Sequence, residues 1–551
     1  MSPWQRFVGL LQLDKKDIRQ IIYYAIFAGL VALSLPLGIQ AIVNLIQGAQ
    51  ISTSWIVLVV LVTLGVAFQG ILQLMQIRIL ENIQQKIFTR SSFEFVFRFP
   101  KIKTSELRNY YPPELANRFF DTLTVQKGLS KILIDFPAAI LQIIFGLLLL
   151  SFYHPFFIIY GVFLVVLIYV VFRFTAKKGL ETSLEESKSK YRVAHWIQEI
   201  ARSIVSFKLS GNTTLAMQRN DVLTTNYLND RESHFRVLLL QFIQMVGFKV
   251  LVTAGLLLIG GLLVLNQQMN IGQFVAAEII ILLVIASVEK LITGLETFYD
   301  VLTSLEKIGQ VVDKELELQE GIDPFETQQP LKVELDKVGY TTSEGLQVLK
   351  DISFSIQTKV CILLDGPSGS GKSTLLKLLS GIHFPTSGSL YINDTSVKGI
   401  WPNKYRAKVG QVLPEQLPFE GSILENITLG DPSISRDRVN EVLGKIGLLP
   451  FIKKQSNGLQ TLLYSEGHHI PGSIAKKIVL ARAIVHNPEL LVLKDPLENF
   501  EQEEAQKIIE YLTNTDHPWS IVISSRNPLW RKHCSKIIYL NNGTLIDITN
   551  A

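Results

Sequence analysis

The run Gly366-Pro367-Ser368-Gly369-Ser370-Gly371-Lys372-Ser373, followed by Thr374, has the spacing G-x-x-x-x-G-K-[ST]. Its chemistry is the cradling of phosphates. Glycines let successive backbone N–H groups curl round the oxygens, Lys372 brings positive charge to the β and γ positions, and the Ser373 hydroxyl can ligand Mg²⁺. A helix starting at Lys372 would add its N-terminal dipole. A chance glycine-rich turn would lack the apolar strand Val360–Leu364 in front and the helical segment Lys372–Gly381 behind. The run therefore reads as a nucleoside triphosphate site. The two other clusters of reactive type are bland. Cys361 and Cys534 read as reduced, incidental thiols, and His468-His469 lacks third and fourth ligands at metal spacing.

The elements that hold this loop lie at the C-terminal end of a 551-residue chain. Short β-rich runs (Lys332–Leu335, Val360–Leu364, Leu490–Leu493, Ser520–Ile523) alternate with helical segments (Lys372–Gly381, Ile474–Val485, Gln502–Leu512). That alternation predicts an α/β domain with a largely parallel sheet over residues 331–551. A polar, acidic stretch, 306–330, reads as the linker before it.

The first half differs in kind. Apolar residues make up 48% of the chain and charged ones 18%, below the ~25% usual in soluble domains. No Asp, Glu, Lys or Arg occurs from Gln20 to Ile77, from Phe136 to Phe172, or from Val250 to Ala277. Disorder, a fibrous protein and a disulfide-stapled secreted domain are excluded. These windows predict six crossings of ~20 residues each, near 22–44, 55–77, 136–153, 156–173, 246–266 and 272–294, within a membrane domain spanning 19–305. The connections Gln47–Ser54, Ser151–Phe156 and Asn266–Gln273 are uncharged. Those holding Lys86, Arg90, Arg98, Lys101, Lys103, Arg108 and Arg118, and Lys177 to Arg202, are basic. Short loops therefore face outward, and both termini face the cytoplasm. The two long connections read as helical pairs reaching about 40 Å below the membrane. Residues 1–18 read as an interfacial helix. A net charge of +5 is modest and indicates no nucleic-acid partner. Glu278, some six residues into the sixth crossing, is costly there and can snorkel outward or line a path.

Six crossings, long cytoplasmic helices and a C-terminal phosphate-loop domain together resemble an ABC transporter half-subunit of the exporter type. Val348-Leu349-Lys350-Asp351-Ile352-Ser353-Phe354, Glu425-Asn426-Ile427 and Leu480-Ala481-Arg482-Ala483 resemble segments of that family. The membrane half is most similar to exporters of bacteriocins and toxins in type I secretion. The resemblance implies a multi-domain fold, with a six-helix membrane domain, long helical extensions and an α/β nucleotide-binding domain. It also implies ATP and Mg²⁺ as cofactors and a homodimer or heterodimer in the bacterial cytoplasmic membrane. A periplasmic adaptor and the bilayer are further partners it implies. Each of two nucleotides would lie between one chain's phosphate loop and the other chain's signature.

Five motifs depart from the family pattern. The metal-ordering Asp is replaced by Lys494, and the base Glu by the shorter Asp495. The signature Leu-Ser-Gly-Gly-Gln aligns with Ile470-Pro471-Gly472-Ser473-Ile474, where Pro471 is tolerable at a helix start. The Q-loop glutamine aligns with Pro414, with Gln411 and Gln416 nearby, and the switch histidine with Ser525. The adenine-stacking aromatic aligns with Thr342, Tyr340 being two residues earlier on the same strand face. These changes predict retained nucleotide binding with weak hydrolysis, or a non-hydrolysing regulatory or structural subunit. An ammonium ~4 Å from a phosphate charge is worth about 4 kcal/mol at an effective dielectric of 20, so Lys494 can take over part of the metal's work. Strand alternation predicts that Asp495 points away from it.

Overall fold

A computed structural model of the chain describes residues 1–47, 53–107, 110–326 and 330–550, with backbone alone over 170–176. Arg108 and most of the uncharged connection Gln47–Ser54 lie outside the described residues. Two compact units form: Met1–Ile102 with Leu107–Glu315, and Lys103–Glu106 with Leu316–Ala551.

The first unit is helical. Among the described residues five helices are long and apolar enough to cross a membrane: Lys15–Gln47, Thr53–Lys101, Pro112–Ser151, Leu215–Leu265 and Ile271–Val312. A shorter apolar stretch, Phe156–Tyr169, opens the helix Phe156–Arg202. Ile271–Val312 is the most buried and begins with a reciprocal cap between Asn270 and Gln273. It continues past Glu306, where the linker was expected to start. Val301, Leu302, Leu305 and Val311 keep burying its inner face, and Arg6 pairs with Glu306 and, at 2.6 Å, with Asp313. Paired charge and continued burial explain why a polar composition there does not end the helix. Glu278 is half-buried.

The second unit is built on strands β1 (Val333–Thr341), β2 (Gln347–Ile356), β3 (Cys361–Asp365), β4 (Ser387–Ile392), β5 (Thr395–Ser396) and β6 (Val409–Val412). They are followed by β7 (Gly421–Ser422), β8 (Leu462–Leu463), β9 (Leu490–Lys494), β10 (Ser520–Ser524), β11 (Lys536–Asn541) and β12 (Thr544–Asn550). The main sheet has the order β12-β11-β3-β10-β9-β6 and is parallel except for β12. Side chains alternate between its faces. Leu363, Leu491, Leu493, Ile521 and Ile523 enter one core, and Ile362, Leu364, Leu490, Val492 and Val522 the other. Burial on both faces is why these strands read as continuous apolar runs. A second, antiparallel sheet, β2-β1-β4-β5, adds to the largely parallel one expected.

Part of the presumed linker belongs to this unit. Glu317, 8% exposed, takes both Arg406 nitrogens at 2.6 and 2.8 Å. Asp323 pairs with Lys404 at 3.0 Å, and Ile322 bridges to Ile400. The cysteines, expected as separate reduced thiols, are joined as a disulfide. Ser535 N donates to Cys361 O, and this pairing beside β3 brings the two Cα atoms within 4.5 Å.

Candidate functional site

β3 is fully apolar until Asp365. The chain then turns through Gly366 to Gly371 into the helix Lys372–Leu379, with Gly371 in the left-handed N-cap position. At Gly366 φ is +135°, and a Cβ would lie 2.0 Å from the Leu540 carbonyl oxygen of β11. Only glycine fits so close to a backbone. Lys372 Nζ donates to the carbonyls of Gly366 and Pro367, both at 2.7 Å, and to Ser370 Oγ at 3.1 Å. The loop borders a cavity of about 630 Å³, lined by its residues other than Pro367, by Thr374, and by Lys494, Ser525, Arg526 and Arg531. That volume is in the range of small-molecule sites.

The far wall comes from β9 and β10, whose register sets Lys494 beside Ser524. Lys494 Nζ donates to Ser524 Oγ at 3.2 Å and pairs with Asp495 Oδ2 at 3.1 Å. The expectation that Asp495 points away is wrong. β9 ends at Lys494, and Asp495 takes φ of +42°, so strand alternation no longer applies. Asp495 Oδ1 also accepts from Arg526 N at 3.2 Å. The residue borders a neighbouring cavity of about 450 Å³ rather than the phosphate cavity, while Lys494 borders both. Ser525 lines the phosphate cavity, but its hydroxyl accepts from Asn527 N at 3.2 Å. On the near side Asp365 accepts from Gly366 N at 2.7 Å and pairs with Arg531.

Burial, foremost, and then Lys494 hold the Lys372 ammonium below the ordinary lysine pKa; Arg526 adds to this, and Asp365 and Asp495 oppose it. Lys372 therefore loses its proton earlier on the alkaline side. ATP affinity, titrated against pH, will fall as that proton is lost. In Lys494→Gln the fall will move to higher pH, because one cause of the depression is gone. An unmoved curve would show that Lys494 does not depress the Lys372 proton affinity.

The Mg²⁺ implied by the resemblance does not fit. Ser373 offers one hydroxyl, and an ammonium stands where a carboxylate is needed. Both local carboxylates, Asp365 and Asp495, are engaged with cations. Among the described residues no group of three or more His, Cys, Asp or Glu could hold a metal ion.

The remaining expected residues lie elsewhere. Tyr340 is 7% exposed with its ring stacked on His383, centroids 5.2 Å apart, and is not among the cavity residues. Neither Gln411 nor Gln416 reaches the phosphate cavity. Gln416 Oε1 accepts from Leu413 N at 3.0 Å and borders the neighbouring cavity together with Pro414 and Gly472. The helix Gly472–Val485 does persist, with Pro471 at its N-cap. Three positions were missed. Arg482 donates to Asn426 O at 2.6 Å and Asn426 Oδ1 at 3.0 Å, joining two family-like segments. A cation inside the apolar run Leu480–Ala483 was the available signal. Arg526 and Arg531 had none beyond lying after β10.

Two family models match the chain: the ABC transporter transmembrane region over residues 20–288, and the ABC transporter model over 349–498. The chain belongs to the ABC transporter family, with membrane-spanning and ATP-binding domains fused in one polypeptide. Alpha-hemolysin translocation ATP-binding protein HlyB of Escherichia coli O157:H7 is 29% identical over 317 residues, 56% of this chain and 44% of that protein. Leukotoxin translocation ATP-binding protein LktB of Mannheimia haemolytica is 25% identical over 361 residues, 63% and 50% of the two chains. The chain thus spans about half the length of the curated relatives it matches. In fold it is similar to a bacterial Atm1-family ABC exporter solved with ATP bound (TM-score 0.84, 17% identity, 97% of this chain and 96% of that one).

Proposed function

We propose that this chain is an exporter half-subunit that binds ATP and works as a dimer in the bacterial cytoplasmic membrane, with little hydrolysis of its own. Its substrate belongs to the peptide or protein class, as the names of the toxin-translocating relatives suggest. Six crossings, both termini in the cytoplasm and a periplasmic adaptor belong to the same reading. Glu278, which has no ion-pair partner among the described residues, would line the path.

One observation carries the proposal. The phosphate loop is fully formed, while the carboxylate aligned with the catalytic base is bound to Lys494 and to Arg526 N. Positioning carries much of phosphoryl transfer, and a carboxylate so engaged is not free to orient water. The same observation favours a second reading, in which the chain binds nucleotide as a non-hydrolysing regulatory or structural subunit.

Measuring ATP turnover and substrate transport for the purified chain in lipid, alone and with a half-transporter whose signature, base Glu and switch His are intact, separates the two. Alone, the chain should turn over at least about 100-fold below the ~1–10 s⁻¹ common among enzymes. Stimulation of transport by the mixed dimer supports the exporter reading, and its absence the second. Turnover of several per second by the chain alone would refute both.

A further inference from the structure

We propose that the phosphate cavity holds a nucleoside triphosphate without a divalent metal, with Lys494 standing where the metal would act and Arg526, next to the switch-histidine position Ser525, adding a second cation. The inference rests on the reading that this cavity binds ATP, and goes beyond it in naming the charge that replaces Mg²⁺. Three features converge on it. Lys494 ends the strand next to β10, in register with Ser524, and borders the cavity opposite Lys372. Arg526 lies at the rim with an exposed side chain, and its backbone N–H is held by the Asp495 carboxylate. Asp495 thereby fixes the loop after β10 against the end of β9.

Lys372, whose proton affinity is lowered by burial first and then by Lys494 and Arg526, lines the same cavity as both of them. A polyanion placed there meets three positive charges, and neutralising the triphosphate is the electrostatic task a bound divalent cation otherwise performs. The same cations would repel a divalent ion in the absence of nucleotide. Asp495 draws on only one side of Lys494, whose ammonium has three donors. Ser524 takes a second, and one is left for a phosphate oxygen.

The test is titration of the full chain in lipid with ATP, once in excess Mg²⁺ and once in EDTA. For the wild type the dissociation constant should change by less than about threefold between the two buffers. Lys494→Gln should bind at least about tenfold more weakly in EDTA, while the charge-preserving Lys494→Arg keeps metal-independent binding. Arg526→Ala should lose about tenfold in both buffers, the usual scale for one charge-assisted phosphate contact. Wild-type binding that collapses in EDTA overturns the metal-free clamp and leaves ATP binding itself intact. Absence of wild-type binding in either buffer overturns the ATP-binding reading as well. If Lys494→Gln and Arg526→Ala match the wild type in EDTA, neither cation touches the phosphates and the proposal is wrong.

Discussion

Changing Asp495 to Glu alone will leave ATP turnover at the wild-type level, whereas Lys494→Asp, Asp495→Glu and Ser525→His together will raise it about 100-fold or more. A longer carboxylate at 495 still leaves the left-handed backbone of that residue beside Lys494, 3.1 Å from its present oxygen. It would still be neutralised there. Replacing the ammonium frees the carboxylate and removes the repulsion toward a divalent cation in one step. Ser525, whose hydroxyl only caps the Asn527 amide, must also become an imidazole, which can hold a proton and a phosphate oxygen. The gain should stop short of a full enzyme, because Pro471, Ser473 and Ile474 still occupy the signature. Steady-state phosphate release is the measurement. Robust activity in the single Asp495→Glu variant would show that the Lys494 pairing does not govern the site.

Gly366→Ala should abolish ATP binding and destabilise the chain by roughly 4 kcal/mol or more. The conformation at φ +135° is costly for any L side chain, and the new methyl would meet the Leu540 carbonyl oxygen at 2.0 Å. Neither element can retreat cheaply, since β3 and β11 are paired along Ile362 to Asp365. Gly369 provides the comparison. Its φ is +83°, with nothing within 4 Å of a Cβ, so Gly369→Ala should cost only ~1 kcal/mol. Denaturant midpoints and ATP titration of both variants would show the contrast. Equal midpoints would mean that the loop is not held against β11.

Much of this molecule was legible because a few patterns have few physical explanations. Long charge-free windows fit only a bilayer, and a phosphate loop between an apolar strand and a helix fits only one supersecondary unit. The strands at Leu490 and Ser520 were readable because both sheet faces are buried. What escaped depends on single backbone torsions or on docking. The alternation rule placed Asp495 on the wrong side because the strand stops one residue earlier, and nothing in Lys494-Asp495-Pro496 announces a positive φ. The place of Tyr340 on β1, two residues before the aligned Thr342, suggests a ring stacked on the nucleotide. Its ring instead packs against His383, a partner some forty residues away in sequence. Residues 306–330 have the composition of a solvated linker, yet part is helix and part is bound to the second unit. Composition does not distinguish a polar segment in water from one whose charges meet counter-charges on a surface.

The Glu317–Arg406 pair has a practical consequence for anyone isolating the ATP-binding half. Excision at residue 331, where composition changes, discards Glu317, Ile322 and Asp323. Arg406 would keep one acceptor, the Gly381 carbonyl at 2.6 Å, and would face a largely buried site with no counter-ion, a loss on the order of 3–5 kcal/mol. The fragment would then be judged intrinsically unstable when only its boundary was misplaced. A fragment starting at Leu316 retains the carboxylate and should survive heating that precipitates the shorter one.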